Sequence, residues 1–371
     1  KVLAAADYPA MLAERDRLRD AGMMAGIGIA ACLEPSGGNS SFEPLLNQSN
    51  QTSTWMESCQ VNIDALGKLT ARIHTTSSGQ GHETLVSTVL GEVMQIDPEL
   101  IRITRPNSLE SLPGNSPVGS RMAIMLGGAA ARAGEKLKAK IMAIAAHRLG
   151  VAIDQLRYEG GDVLAHDGRR FTWDEMVELA HRQYHNLPDG MDPGLASFDI
   201  MQVPTGDALP VDDKVQMYPC YSFEFHLLLV SFDPIIGRPD IHSYVIGHDC
   251  GTVINPAIVS GMTYGGIAHG IGAALFEEFA YDTNGQLLTQ SFLDYLMPSS
   301  HEVPAIQIVK HCTPSPHTVF GQKGSGESGY LGAPAAVSAA INDAVSGLGI
   351  HFEKLPIRMS AISDAIAAKT S

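Results

Sequence analysis

The sequence predicts a mixed α/β chain of the α+β class, folded as two lobes. Helix-period and strand-period segments alternate from the first residues onward, so both kinds of element feed the core. At 371 residues the chain exceeds what one compact core usually holds. From Asn186 to Pro219 it is irregular and carries five prolines, which makes the best internal boundary. A first lobe over residues 1–195 and a second over 196–371 are therefore expected.

Residues 4–22 read as an amphipathic helix closed by Gly22, and AGIGIAACLEP (25–35) as a buried strand. The GIG of that strand lacks the third glycine and the following helix of a dinucleotide fingerprint, so no Rossmann site is expected there. VNIDALGKLTARIHTT (61–76) alternates apolar and polar residues on either side of Gly67-Lys68, the pattern of a β-hairpin. Ser78 leads into a helix with Leu85, Val86, Val89, Leu90, Val93 and Met94 on one face. That places Gly79, Gln80 and Gly81 on a strand-to-helix turn with backbone N–H groups facing outward.

A loop rich in Pro, Asn and Ser (106–120) precedes a long helix from about Arg121 to Leu149, stopped by Gly150. Residues 151–184 read as a small hairpin turning at Asp167-Gly168, then a helix opened by a capping box between Thr172 and Glu175. In the second lobe FEFHLLLVSF (223–232) and IHSYVIGHDC (241–250) read as paired strands. Asn255-Pro256 begins a glycine-studded helix running to about Tyr281, and an alanine-rich helix spans Pro334 to Val345. The glycines at 261, 265, 266, 270 and 272 suit close packing in a water-soluble core rather than a membrane dimer, because Asn255, Glu277 and Glu278 flank them. The sequence has no internal repeat.

Hydrophobic residues make up 44% of the chain, charged residues 18%, and there are 37 glycines, a globular composition with many tight turns. A net charge of -15 with no basic patch argues against a nucleic-acid partner. Cys32, Cys59, Cys220, Cys250 and Cys312 are scattered without a CxxC pair, so no disulfide framework, zinc site or iron-sulfur site is expected. A reducing, cytoplasmic compartment fits that usage. The longest apolar window, Gly261 to Leu275, is short of the roughly 18 residues a membrane span needs and carries His269. The start at Lys1, with no apolar signal region after it, is the pattern of a processed or partial chain.

The run Gly321 to Gly332 sets Glu327 between glycines, ahead of a helix with Pro334 in its first turn. There the backbone can approach a ligand, the helix start favours an anion, and Glu327 has few neighbouring side chains to block access. An acidic cap on a surface loop is the other reading of such a segment. A Walker A loop is not, because Lys323 precedes the glycines instead of following them. Gln80 with the amides of its turn, and the turn before Arg121, could hold a polar cofactor or could simply cap their helices. His82 and His269 lack a second His or Cys at i+3 or i+4 to build a metal site.

Four segments, in this order, decide between these readings: GIGIAACLEPSGG (26–38), SSGQGHETLVSTVLGE (77–92), GNSPVGSRMAIMLGGAA (114–130) and the stretch from His248 to Pro298, closed by GQKGSGESGYLGAPAAVSAAINDA (321–344). Together they resemble the molybdenum-binding large subunit of the xanthine oxidase family, and most nearly its branch of bacterial carbon monoxide dehydrogenases, isoquinoline and aldehyde oxidoreductases. The resemblance implies a two-lobed molybdopterin-binding domain. It implies Glu327 as the catalytic base, partly buried beside Leu331, in a hydroxylation that takes its oxygen from water. The cofactor contacts it implies are Gly79, Gln80, Gly81 and His82; Gly119, Ser120 and Arg121; Asp249, Cys250 and Asn255; His269; and Lys323, Gly324 and Gly326.

The same resemblance implies that molybdenum is held by the pterin dithiolene and by no side chain, and that the pterin is the cytosine dinucleotide form. In the family a further domain with a Gly-Phe-Gly-Gly loop and an Arg-Gly-Phe-Gly-type loop precedes this region, and neither loop occurs in this sequence. The implied partners are a chain carrying that N-terminal half, an iron-sulfur subunit with 2Fe-2S clusters and a subunit with FAD. The implied substrate is a small heteroaromatic or aldehyde. His269 stands where xanthine-oxidising members have Gln, which turns the expectation away from purines. A non-catalytic cofactor-binding or structural subunit, and a plain acid-base hydrolase, are the competing functions.

Overall fold

The computed structural model describes residues 1–37, 55–105, 107, 109–115, 117–202, 212 and 218–370. Gly38 and Ser116 of the motif segments, and most of the proline-rich boundary between 203 and 217, lie outside the described residues. Two helices open the chain, α1 (Val2–Ala5) and α2 (Tyr8–Asp20), where the sequence suggested one. Asp7 separates them: it sits at φ 45° in the left-handed region, and its carboxylate accepts from the Ala10 N–H, starting α2 afresh.

β1 (Met24–Ser36) then pairs antiparallel with β9 (Cys220–Phe232) along its whole length, from Met24 opposite Phe232 to Ser36 opposite Cys220. β10 (Asp240–Asp249) continues the sheet antiparallel to β9, and β11 (Ile306–His311) joins it in parallel, giving the order β1-β9-β10-β11. The two strands read from 223–232 and 241–250 are thus neighbours. One face of this sheet buries Leu228, Val230 and Phe232 against α6 (Pro256–Leu275), α7 (Ala333–Val345) and α8 (Met359–Thr370). Part of the other face is covered by Met11 and Leu18 of α2.

A second sheet has the order β4-β3-β2-β8, formed by β2 (Met56–Ile63), β3 (Leu69–Ile73), β4 (Arg102–Thr104) and β8 (Leu195–Gln202). The expected hairpin is the β2-β3 pair, with Val61 opposite Ala71. Alternation in β2 and β3 turns Val61, Ile63, Leu69, Ala71 and Ile73 inward, where α3 (His82–Met94) and α4 (Met122–Leu149) close a separate core. A small sheet of β5 (Leu156–Glu159), β6 (Asp162–Ala165) and β7 (Arg170–Phe171) flanks it, followed by α5 (Trp173–His181), whose Thr172–Glu175 capping box makes both of its bonds.

The mixed helix-and-sheet architecture is the expected one, but its two cores interleave in sequence. The chain begins in the first sheet with α2 and β1, builds the second core from β2 to β8, and returns to the first at β9. The cause lies in β1: α2 before it covers part of one face, but its ladder partner β9 and the helix α7 that packs on it come only after the second core is complete. The helix begun at Asn255 also ends at Leu275, short of Tyr281. Phe276 and Glu277 N–H groups both close on the Gly272 carbonyl, and Glu277 turns away to accept from the Tyr295 hydroxyl at 2.7 Å.

β1 and α7 touch backbone to backbone, which only glycine permits. A Cβ on Gly28 would stand 1.9 Å from the Ala336 carbonyl oxygen. Gly28→Ala is expected to lower stability by about 1–3 kcal/mol through this overpacking. Gly347→Ala, where an added Cβ meets nothing within 4 Å, serves as the control. Urea unfolding of both variants checks the difference; equal midpoints would refute the close-packing account.

Candidate functional site

Four segments from the two cores converge as three walls of one cleft of about 370 Å³. The first wall is the start of α3, with Gln80, Gly81 and His82; the second is the start of α4, with Gly119, Ser120 and Arg121. The third is contributed by the first sheet's side of the molecule: Cys250 and Asn255 before α6, and Lys323, Gly324, Gly326 and Glu327 in the glycine run. Residues far apart in sequence and expected to share a site therefore do share one. Gly79, Asp249 and His269 do not line it. Gly79 is exposed in the turn before α3 at φ 109°, and His269 is exposed on α6 with its ring 5.0 Å from that of Tyr330.

The local sequence explains the two helix starts. Gly81 precedes α3 at φ 73°, and Arg121 precedes α4; neither helix has a side-chain cap on its first N–H groups. Their dipoles and amides face the cleft, an arrangement suited to an anionic or strongly polar ligand. Arg121 is fully buried and bonds Glu57 at 2.7 Å, with the Trp55 ring 5.3 Å from its guanidinium carbon. Burial pushes the Glu57 carboxyl up, against the pull of Arg121, and the same burial pushes Arg121 down.

On the opposite wall Asp249 ties three strands of chain together from behind the cleft. It accepts from the N–H groups of Gly251 (2.8 Å) and Thr313 (3.1 Å) and from the Thr313 hydroxyl, and Lys323 Nζ stands 3.6 Å away. Lys323 also donates to the Thr313 hydroxyl at 2.7 Å, and its N–H bonds the Cys250 carbonyl. Burial raises the Asp249 carboxyl, but the Thr313 hydroxyl, the two N–H groups and Lys323 outweigh it and hold it below the usual carboxylate range. Gln322, which sequence reasoning passed over, donates to the Ala123 carbonyl at 2.9 Å and so fastens the glycine run to α4.

The run itself is pressed against the Ser120 turn. A Cβ on Gly324 would fall 1.4 Å from the Ser120 carbonyl oxygen, so no other residue fits. Glu327 is exposed and Leu331 is 37% exposed. The expected partial burial of Glu327 is not provided by the described residues, because Gly324 and Gly326 have no side chains to cover it. Beneath the run lie two buried carboxylates that the sequence reading missed, Glu34 on β1 and Glu224 on β9. Their signal was present: a polar residue at every second position, Glu34 with Ser36 and Glu224 with His226, at one end of otherwise apolar strands.

The cleft suits a polar, anion-bearing cofactor on the evidence of its own atoms. His82, a residue of the cleft wall, is buried, and its Nδ1 has no hydrogen-bond partner among the described residues. Burial pushes this imidazole down, which favours its neutral form, able to accept or donate. Among the described residues no three His, Cys, Asp or Glu side chains converge as a metal-binding cluster. Among the described residues no helix is long and apolar enough to cross a membrane.

Comparison with known proteins agrees with this geometry. The family model described as molybdopterin cofactor-binding domain matches residues 1–304. The nicotine 6-hydroxylase large subunit of Paenarthrobacter nicotinovorans is 34% identical over 352 residues, covering 94% of this chain and 41% of that protein. The carbon monoxide dehydrogenase large chain of Hydrogenophaga pseudoflava is 31% identical over 360 residues, covering 96% and 42%. Among solved structures, quinoline 2-oxidoreductase from Pseudomonas putida 86 superimposes with a TM-score of 0.86 at 30% identity, over 99% of this chain and 45% of that one. The chain thus spans less than half the length of the relatives it matches.

The Asp249 anchor has a testable pH signature. Its folded-state carboxyl lies below the ordinary value, so its contribution is present above about pH 4 and is lost as pH falls through the lowered value. Asp249→Asn is expected to cost about 1.5–3 kcal/mol near neutrality. That gap should narrow on acidification, read by urea unfolding from about pH 7 to about pH 3; a gap constant with pH would refute the anchor.

Proposed function

Because the chain belongs to the molybdopterin cofactor-binding domain family, we propose that it is the C-terminal half of the catalytic subunit of a molybdenum hydroxylase, with Glu327 as its base. The observation that carries the reading is the convergence of Glu327, two uncapped helix starts and His82 on one cleft. When bound, the molybdenum-pterin centre supplies the two-electron acceptor for oxidative hydroxylation with water as oxygen source.

The residues of this chain divide the remaining work. Gln80, the helix amides from His82 onward and the His82 side chain would hold polar edges of the pterin, while the Gly81 N–H is held by the Ser77 hydroxyl at 2.9 Å; the turn Gly119–Arg121 with the start of α4 would face it from the second wall. Lys323, Gly324 and Gly326 bring backbone close to the same ligand. Cys250 and Asn255 line the cleft on the α6 side, a position that fits the tail of a cytosine dinucleotide form; Asp249 holds their turn. Gly79 shapes the approach to Gln80, and His269 belongs to the surface beside Tyr330. Glu327, reachable at the cleft wall, takes the proton from the attacking oxygen.

The names of the relatives, which include nicotine, quinoline and carbon monoxide, favour a small substrate and an electron-poor heteroaromatic ring first; an aldehyde is the next class to test. We propose the cytoplasm as compartment. The proposed partners are a chain bearing the N-terminal half of the molybdenum subunit and subunits carrying 2Fe-2S clusters and FAD; the relatives' own names call them large subunits or complex subunits. Glu327→Gln in the assembled complex should retain molybdenum and pterin at wild-type content yet lose about 10²- to 10⁴-fold in turnover. Metal analysis with an artificial electron acceptor reads both. Near-normal turnover would remove Glu327 as base, and a wild-type complex without molybdenum would remove the whole reading.

A further inference from the structure

The inner face of the first sheet changes character along its strands. At one end Leu228, Val230 and Phe232 belong to the apolar core. At the other, Ser222, Glu224 and His226 follow at alternate positions of β9, and Glu34 and Ser36 sit on the adjoining end of β1, all buried. Glu34 is opposite Ser222, so these side chains share one face.

The glycine run lies over this polar end and turns successive donors down onto it. The Glu327 N–H donates to Glu34 Oε1 at 2.9 Å, the Ser328 hydroxyl to Glu34 Oε2 at 2.7 Å, and the Gly329 N–H to Glu224 Oε2 at 2.9 Å. From the opposing wall the Ser120 hydroxyl donates to Glu34 Oε1 as well. A single carboxylate therefore connects the backbone of Glu327 to the turn before α4. With 1% of its surface exposed, Glu34 is held out of bulk solvent.

We propose that Glu34 is the positioning residue of the site, setting where Glu327 stands relative to the Gly119–Arg121 wall without touching substrate or cofactor. This rests on the reading of Glu327 as base. A carboxylate suits the task because it accepts at every lone pair: the Glu327 N–H can only donate, and the Ser120, Ser222 and Ser328 hydroxyls complete the set. An amide at the same place could keep the Glu327 N–H only by turning its N–H groups toward the Ser222 and Ser328 hydroxyls, which would reverse both of those bonds and take away the Ser328 hydroxyl as a donor. Nor is the carboxylate there for packing. A buried charge costs the fold its hydration, and an apolar residue of similar volume would serve a core as well or better.

The test is Glu34→Gln in the assembled complex, which keeps shape and volume. Turnover is expected to fall by about 10²-fold, the scale of a 1 Å misplacement, with KM changed less than about twofold and molybdenum content unchanged. Independently of turnover, hydrogen exchange of the peptide 324–331 should accelerate while exchange in β2 and β8 stays at the wild-type rate. Ser120→Ala with Ser328→Ala, which removes one arm on each wall, should accelerate the same peptide if Glu34→Gln does not assemble. Unchanged protection of 324–331 in these variants would overturn the proposal, as would exchange rising equally in both cores, the mark of a packing residue. A complex that hydroxylates nothing would sink the functional reading and leave the exchange result standing.

Discussion

The antiparallel pairing of β1 with β9 is the constraint on which the site depends. It joins residues nearly two hundred positions apart over thirteen rungs, and its register puts Glu34 opposite Ser222 and next to Glu224. A slip of one residue would turn Glu34 to the other face and leave the Glu327 and Ser328 donors unpaired. Gly28, further along the same strand, lets α7 lie directly on β1, and α7 is the helix into which the Glu327 run leads. One strand therefore sets both the floor beneath Glu327 and the helix behind it.

The electrostatics of the cleft run against the charge of the chain. The protein is acidic overall, with a net charge of -15. Arg121 is paired with Glu57, and Lys323 stands beside Asp249 and Thr313, so much of their charge is answered locally. The helix starts of α3 and α4 have no such side-chain partner. Their amides supply a fixed positive end that needs no reorganisation when a ligand arrives. An anion-binding cleft can thus exist in an acidic protein without a basic patch, and its field is confined to the cleft by screening.

What could be read from the sequence follows the distance over which each feature is encoded. The GQG turn, the turn at Gly119–Arg121 and the glycine run with Glu327 are local signals, each a few residues long and next to a helix, and the cleft contains all three. The paired strands, the β2-β3 hairpin and the capping box of α5 were legible for the same reason. Glu34 and Glu224 were not, because their roles exist only once the register of two distant strands is known. The end of α6 at Leu275 was misjudged since the helix stops through a contact from Glu277 to Tyr295, eighteen residues on. His269, expected among the cofactor contacts, stands beside Tyr330 and does not line the cleft built by the described residues.

The site as this chain builds it is complete in orientation and incomplete in enclosure. Two buried carboxylates, the Ser120 turn and the Gly324 contact fix the backbone around Glu327 on its inner side, while its outer side is exposed. Positioning a base and excluding water from it are separate requirements, and the second strengthens every interaction in a cleft by lowering its effective dielectric. Large apolar side chains after α6, Phe292 and Leu293 among them, stand exposed on the same chain. In relatives more than twice as long, further chain is available to cover such surface. The proposed division of labour follows: this chain holds Glu327 in place, and the elements that enclose it have only to cover a base whose direction is already set.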